Sequence, residues 1–156
     1  MPTTYEPVIE TLPEEECRRL LACVPIGRLA FTVGALPAIQ PVRFTLRGDE
    51  VLIPARRGGQ VAGASRGAVV AFQVDEYHAG SRSGWSVTVV GPSRVLADAG
   101  GVTALRGAGL APCTPAPESC VVAVRVARIS GRRVSGARSP SDDDATSPAP
   151  GQRART

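Results

Sequence analysis

Between Arg28 and Ile53 three apolar segments follow one another almost without interruption, RLAFTV, AIQPVRFTL and EVLI, parted only by residues 34–37 and by Arg47, Gly48 and Asp49. Strand-length apolar runs joined by loops this short predict two successive hairpins, so the chain is committed early to an antiparallel meander. Pro41 falls inside the second segment and cannot donate to a ladder, which predicts a bulge or an unpaired edge there. Backbone left unpaired in that way is available to a ligand. With 156 residues, 43% hydrophobic, the chain is long enough for one domain with a real core, and 17 glycines and 14 prolines supply the turns that a β-rich fold needs.

The same reading extends in both directions. Thr11 and Glu14 have the spacing of a capping box, Pro13 suits a first helical turn, and Cys17, Leu20, Leu21 and Val24 form one apolar stripe. This predicts an amphipathic helix ended by Pro25 and Gly27. AVVAFQVDE (68–76) places Val70, Phe72 and Val74 on one strand face, and WSVTVVGPSRVL (85–96) is a long strand interrupted at Gly91 and Pro92. Residues 98–110 read as a helix capped by Asp98, and residues 111–118, with three prolines, as loop. The segment 120–134 closes the fold, with Val122, Val124 and Val126 alternating against Ala123, Arg125 and Ala127. Six or more strands in antiparallel order with two or three helices suggest a mainly β fold, a small β-barrel with helical attachments spanning residues 1–134. From 135 to 156 the composition turns to Ser, Pro, Asp, Ala and Arg, which predicts a disordered tail.

Charge narrows the function. All 18 cationic side chains are arginine, and the net charge of +4 falls on residues 1–134, since three arginines and three aspartates balance in the tail. Fifteen arginines against 11 carboxylates suit an anionic small ligand and are too mild a bias for a nucleic-acid surface. The four cysteines, Cys17, Cys23, Cys113 and Cys120, form no C-x-x-C pair, and His78 is the only histidine, so no zinc set is expected. Their expected state is buried or free thiol in a reducing cytosol. No basic-then-apolar leader and no membrane-length apolar run is found, so a soluble cytoplasmic protein is expected.

The stretch IPARRGGQVAGASRGAVVAF (53–72) concentrates the site chemistry. Arg56, Arg57, Gly58 and Gly59, followed by a short helix starting near Gln60, form either a phosphate cradle or a solvated hairpin turn. His78 has no acid–base partner nearby and reads as a surface residue. Ser81, Ser83 and Ser86 lack a nucleophile elbow, so no hydrolase triad is supported. Asp75 and Glu76 read as a solvated rim, and Trp85 as either a core residue or the wall of a flat aromatic site.

Taken in order, the helix, VPIGRLAF, LPAIQPVRF, the Gly-rich turn, GAVVAFQVDE and GWSVTVVGPSRV resemble the pyridoxamine 5'-phosphate oxidase-like flavin-binding split-barrel family. Its small actinobacterial members and the nitroimidazole-reductase-like branch are the most similar. The resemblance covers about residues 11–134. It implies a six-stranded antiparallel split barrel, a homodimer and an FMN site at each end of the interface. The segment Pro41, Val42, Arg43, Phe44 would lie along the isoalloxazine, the turn from Ala55 through Arg56, Arg57, Gly58 and Gln60 would hold the phosphate, and Trp85 and Ser86 would approach the same cleft.

Relatives commonly carry Thr-Gly-x-Gly-Ser-Lys in this turn. Here Ala55 stands for the hydroxyl residue and Gln60 for the lysine, and Arg43 replaces a small polar residue. A lost charge-assisted hydrogen bond costs about 1.5–3 kcal/mol, which Arg56 or Arg57 can restore by reaching back. The resemblance thus implies an oxidoreductase in which FMN, or a related deazaflavin, transfers hydride to or from a small molecule, with Arg43 beside the reduced ring. The competing reading is a split barrel that holds flavin, haem or another planar anion without turnover.

Overall fold

The computed structural model describes residues 7–115 and 117–136. In chain order these form β1 (Val8–Leu12), α1 (Glu14–Leu21), β2 (Ile26–Val33), β3 (Leu36–Arg43), β4 (Thr45–Arg47), β5 (Glu50–Arg56), α2 (Gln60–Ala64), β6 (Val69–His78), β7 (Ser83–Leu96), α3 (Ala99–Gly107), β8 (Ser119–Arg125) and β9 (Arg128–Ser135). The expected mainly β architecture is present, with nine strands among the described residues instead of six. Two expected strands are each broken: the second into β3 and β4 at Phe44, the last into β8 and β9 at Val126 and Ala127. The remaining addition is β1, which pairs with β9 from Val8↔Ser135 to Leu12↔Gly131.

That strand overturns the capping box. Thr11 is spent in the β1–β9 ladder opposite Arg132, so α1 begins at Glu14 with Pro13 as its N-cap and no side-chain cap. The helix is instead anchored by its acidic first turn. Glu16 accepts from Arg19 at 2.7 Å and from Arg133 of β9 at 2.9 Å, and these hydrogen bonds hold its carboxyl at about 2, below the usual 4.5. Because the folded-state pKa is depressed, this contribution is complete above pH 4.5 and is lost as the pH falls toward 2. Glu16→Gln is therefore expected to flatten the acid limb of stability in that window, read from thermal unfolding between pH 2 and 6.

The strands follow the order β3-β2-β6-β7-β8-β5-β4, all antiparallel, with β9 also on β7. β7 belongs to both halves of the split barrel. Residues 84–90 pair with β9, whereas Ser93–Leu96 pair with β8, and the change of partner falls at the Gly91–Pro92 step noted in the sequence. Leu29, Phe72, Val74, Val87, Val89, Val51 and Ile53 fill the barrel and are fully buried. The alternation expected along β8 holds only in part. Val122 and Val124 face the barrel, but Val121 and Ala123 on the other face are buried too, with Leu52 and Leu105 beneath α3. Asp98 caps α3 as expected, accepting from the Gly101 amide at 3.2 Å.

The β2–β3 hairpin decides the character of the sheet edge. Gly34 and Ala35 form its two-residue loop with φ of +53° and +65°, the pattern of a type I′ turn, and Val33↔Leu36 closes it. Hydrogen-bonded pairs alternate from that closing pair, so Pro37, Ile39, Pro41 and Arg43 direct their backbone groups away from β2. Both prolines thus fall where a missing donor breaks no ladder bond. Of the two possibilities at Pro41, the structure shows the edge: the β2–β3 register runs without a bulge from Val33↔Leu36 to Ile26↔Arg43. The tail expected from residue 135 lies outside the described residues from 137 on, and Ser135 itself closes β9.

Candidate functional site

The open edge of β3 borders a cleft of about 390 Å³, toward the small end of the roughly 300–1,000 Å³ typical of ligand pockets. One wall is Gln40, Pro41, Val42 and Arg43 with Ile26 of β2; the other is Pro54, Ala55 and Arg56 of β5; Gly59, Gln60 and Val61 of the β5–α2 turn and Cys113 complete it. Residues separated by the whole of β4 and β5 therefore meet because β3 leaves the sheet edge at Phe44 while β5 returns beside it. The Gly59 amide donates to the Arg56 carbonyl at 3.0 Å, and Gly58, at φ +71°, supplies the left-handed residue that this turn requires.

The two adjacent arginines have separate fates. Arg56 lines the cleft and, among the described residues, pairs with Glu118 at 3.6 Å, both side chains mostly exposed. An ion pair so solvated contributes little and leaves the guanidinium free to exchange partners. Arg57 turns away. Its Nε donates to the Ser119 carbonyl at 3.3 Å and its Nη2 to the Ala97 carbonyl, while its backbone amide bonds the Glu118 carbonyl at 2.8 Å. It ties the turn to β8 and to the start of α3. Arg43 donates to the Ala111 carbonyl at 3.3 Å and so closes the cleft toward the 111–118 loop.

Of the residues expected in the site, Val42, Arg43, Ala55, Arg56 and Gln60 line this cleft. Gly58 shapes the turn without lining it. Phe44 is a core residue, edge-on to Phe72 with ring centroids 4.7 Å apart. Trp85 packs against the barrel core, and Ser86 lies on the outward face of the sheet in a separate depression with Gln73, Thr88, Ser130 and Arg132. Neither lines the cleft. Ile26, Gln40, Pro54 and Cys113 were not signalled, since nothing local distinguishes them from ordinary strand or loop residues. His78 is exposed, as expected of a surface residue, but the expectation that it has no acid–base partner nearby is corrected: Glu76, two residues back on β6, lies 3.1 Å from it. Cys120, behind Ala55 in the β5–β8 ladder, is buried, and burial pushes its thiol up, away from thiolate character.

Among the described residues there is no cluster of three or more potential metal ligands, and no helix is long and apolar enough to cross a membrane. The family model for pyridoxamine 5'-phosphate oxidase matches residues 13–137. The chain belongs to the pyridoxamine 5'-phosphate oxidase family. The chain is 38% identical, over 102 residues, to an uncharacterised protein of Mycobacterium tuberculosis; the match spans 62% of this chain and 66% of that protein, just under two thirds. Its fold is similar to that of an FAD-binding protein from Mycobacterium smegmatis (TM-score 0.67, 30% identity, 80% of this chain and 97% of that one). It is also similar to an FAD-binding protein from Mesorhizobium loti (TM-score 0.66, 24% identity, 83% and 99%). An FAD- and haem-binding protein from Mycobacterium smegmatis shares the fold at 21% identity (TM-score 0.66, 88% and 80%). This family's split barrel is the architecture described above.

Proposed function

We propose that the cleft between β3 and the β5–α2 turn binds a flavin nucleotide and that the protein is a flavin-dependent oxidoreductase acting on a small molecule. The observation that carries this reading is the open edge at Pro41–Arg43 facing Arg56 across one cleft. The Pro41 carbonyl and the Arg43 amide point away from β2, offering an acceptor and a donor to the pyrimidine edge of an isoalloxazine, which alternates the same two functions. Arg56 is the cation available to a phosphate; α2, with only five residues, adds little charge of its own. The flavin-binding relatives support the same reading. FMN is the smallest nucleotide that satisfies both ends, and a deazaflavin phosphate has the same ends.

When bound, the flavin would supply the redox chemistry. The chain's own residues would orient it and set its electrostatics: Arg43 places positive charge at the ring end, favouring an electron-rich reduced ring, and Val42, Val61 and Ile26 offer apolar contact. The absorbance of the purified protein, followed by titration with FMN and riboflavin, tests the assignment. Visible flavin absorbance that bleaches on reduction supports it, and a protein indifferent to both ligands overturns it. A second reading, flavin or another planar anion held without turnover, is favoured by Ala55 and Gln60, which remove the hydroxyl and ammonium usual in relatives. Bound flavin that no nicotinamide donor reduces would select it.

Homodimerisation is proposed with it. On the outward face of the sheet, in-register rows run Ala30–Ala71–Val90 and Gln73–Thr88–Ser130, small or neutral across three strands, with exposed Ile39 and Val69 beside them. A small and neutral middle, bordered by Arg28 beside Gln73 and Arg128 beside Val90, suits a second copy of itself, and Ser86 would then approach a cleft only from the partner. Ala71→Arg puts a charge in that centre and is expected to convert a dimer to a monomer in light scattering while cooperative unfolding persists.

A further inference from the structure

All four cysteines are free thiols, and two of them converge on the wall of the cleft. The chain doubles back ahead of β8: the Glu118 amide donates to the Pro115 carbonyl at 3.1 Å, and one step outward the Ser119 hydroxyl donates to the Thr114 carbonyl. The hydroxyl oxygens of Thr114 and Ser119 are 3.4 Å apart. The next pair outward is Cys113 and Cys120. Two hollows fix the same placement independently. Cys113 lines the cleft with Ala55, the ladder partner of Cys120, and it lines a second depression of about 270 Å³ with Ser119, the residue before Cys120. Facing residues on adjoining antiparallel arms stand about 4.5–5.5 Å apart at Cα, within the range of roughly 4.4–6.8 Å that a disulfide spans. The two thiols differ in access: Cys113 is exposed and Cys120 is buried. Burial, and after it the nearby Cys113, push the Cys120 thiol up and keep it protonated. The other two thiols lie at α1 and are directed elsewhere, Cys17 to the Leu12 carbonyl at 3.8 Å and Cys23 to the Arg19 carbonyl at 3.4 Å.

We propose that Cys113 and Cys120 are a redox pair in which a hydroperoxide oxidises Cys113 and Cys120 resolves it to a reversible disulfide. The Cys113 sulfur, as thiolate, attacks a peroxide oxygen; the O–O bond breaks, and the departing hydroxide takes up the Cys113 proton as water. Cys113 then carries a sulfenic acid. The Cys120 sulfur attacks the Cys113 sulfur, the S–S bond forms, the S–O bond breaks, and the hydroxyl leaves as water with the Cys120 proton. Two thiols lose two electrons and one hydroperoxide gains them. The crosslink draws the Cys113 sulfur from the cleft wall toward the buried face behind Ala55. The disulfide itself is independent of the flavin assignment; only its effect on the cleft rests on that reading.

The test is mass spectrometry of the full chain after exposure to stoichiometric hydrogen peroxide. The intact protein is expected to lose two hydrogens. Cleavage after Glu118, which lies between the two cysteines, should leave their peptides joined until dithiothreitol is added. Cys113→Ser, at an exposed loop position, should fold normally and lose no hydrogens; Cys120→Ser should stop at sulfenic or sulfinic acid on Cys113; Cys23→Ser should behave as the native chain. Oxygen added to Cys113 of the native chain without joined peptides, linkage through Cys23, or an unreactive Cys113 each overturns the proposal. Titration of the reduced and oxidised forms with FMN reads the effect on the cleft. The oxidised form is expected to bind about fourfold more weakly, the worth of one methylene-sized contact. Equal affinity of the two forms overturns that effect, and binding by neither form overturns the flavin assignment while the joined peptides still uphold the redox pair.

Discussion

Gly91→Ala is expected to destabilise the protein by about 3–5 kcal/mol, at the upper end for a single substitution, and to lower Tm by roughly 10–20 °C. A Cβ built at Gly91 overlaps the carbonyl oxygen of Arg125 and stands 2.9 Å from its carbonyl carbon and 3.2 Å from the Ala127 nitrogen. All of these are backbone atoms, so no side chain can rotate out of the way. Nor can the segment move freely: Val126 donates to the Asp49 carbonyl at 2.9 Å and Ala127 to the Val90 carbonyl at 3.2 Å, pinning the β8–β9 corner to both halves of the barrel. Displacing it would break those bonds just where β7 exchanges β9 for β8 as a partner. Differential scanning calorimetry or chemical denaturation measures the effect. A loss below about 1 kcal/mol, the level of an ordinary substitution, would mean that the corner yields and that the crossing of the two sheets is not held by this contact.

The second large effect separates the paired arginines. Arg56→Ala is expected to weaken FMN binding about tenfold to a hundredfold, the value of one charge-assisted contact to phosphate, and to leave riboflavin binding unaltered because riboflavin has no phosphate to lose. Its stability should hardly change, since among the described residues the partner of Arg56 is the solvated Glu118. Arg57→Ala should do the reverse. Removing it leaves the Ala97 and Ser119 carbonyls without that donor, at a cost of about 1–3 kcal/mol, with FMN affinity nearly preserved. Titrations with both ligands, alongside thermal unfolding of both variants, give the four numbers needed. If the two substitutions have interchangeable effects, the division of labour between neighbours is refuted.

Much of the architecture was legible because strand periodicity is local information. Val70, Phe72 and Val74 declare their face in five residues, and all three are buried. Asp98 declares a helix start, and the short break at residues 34–37 announces a hairpin, although its loop is only Gly34 and Ala35 and the strand resumes at Leu36. The features that sequence reading missed depend on distant partners. Thr11 looked like a cap because Glu14 is three residues away, but the β9 strand more than a hundred residues later claimed it for a ladder. Ala123 read as the face opposite Val122 and Val124, but α3 covers that face and buries it together with Val121. Phe44 looked like a ring contact beside Arg43, but the chain turns there and sends its side chain into the core against Phe72.

The candidate site divides in the same way. Its chemistry could be named from residue types, since a guanidinium, flexible glycines and a donor-less proline each have a limited set of uses wherever they stand. By itself the chain determined its antiparallel β character, a bulge or an open edge at Pro41, and the arginine and glycine make-up of the turn at residues 56–60; the structure chose the edge. Only the tertiary structure decided which arginine faces the cleft, that Cys113 links it to a second hollow, and that Ser86 belongs to another face altogether. The physical reason is that β5 ends at Arg56 and Arg57 opens the following turn, so a change of backbone conformation between neighbours, invisible as a change of composition, leaves Arg56 at the cleft and turns Arg57 to the backbone of β8.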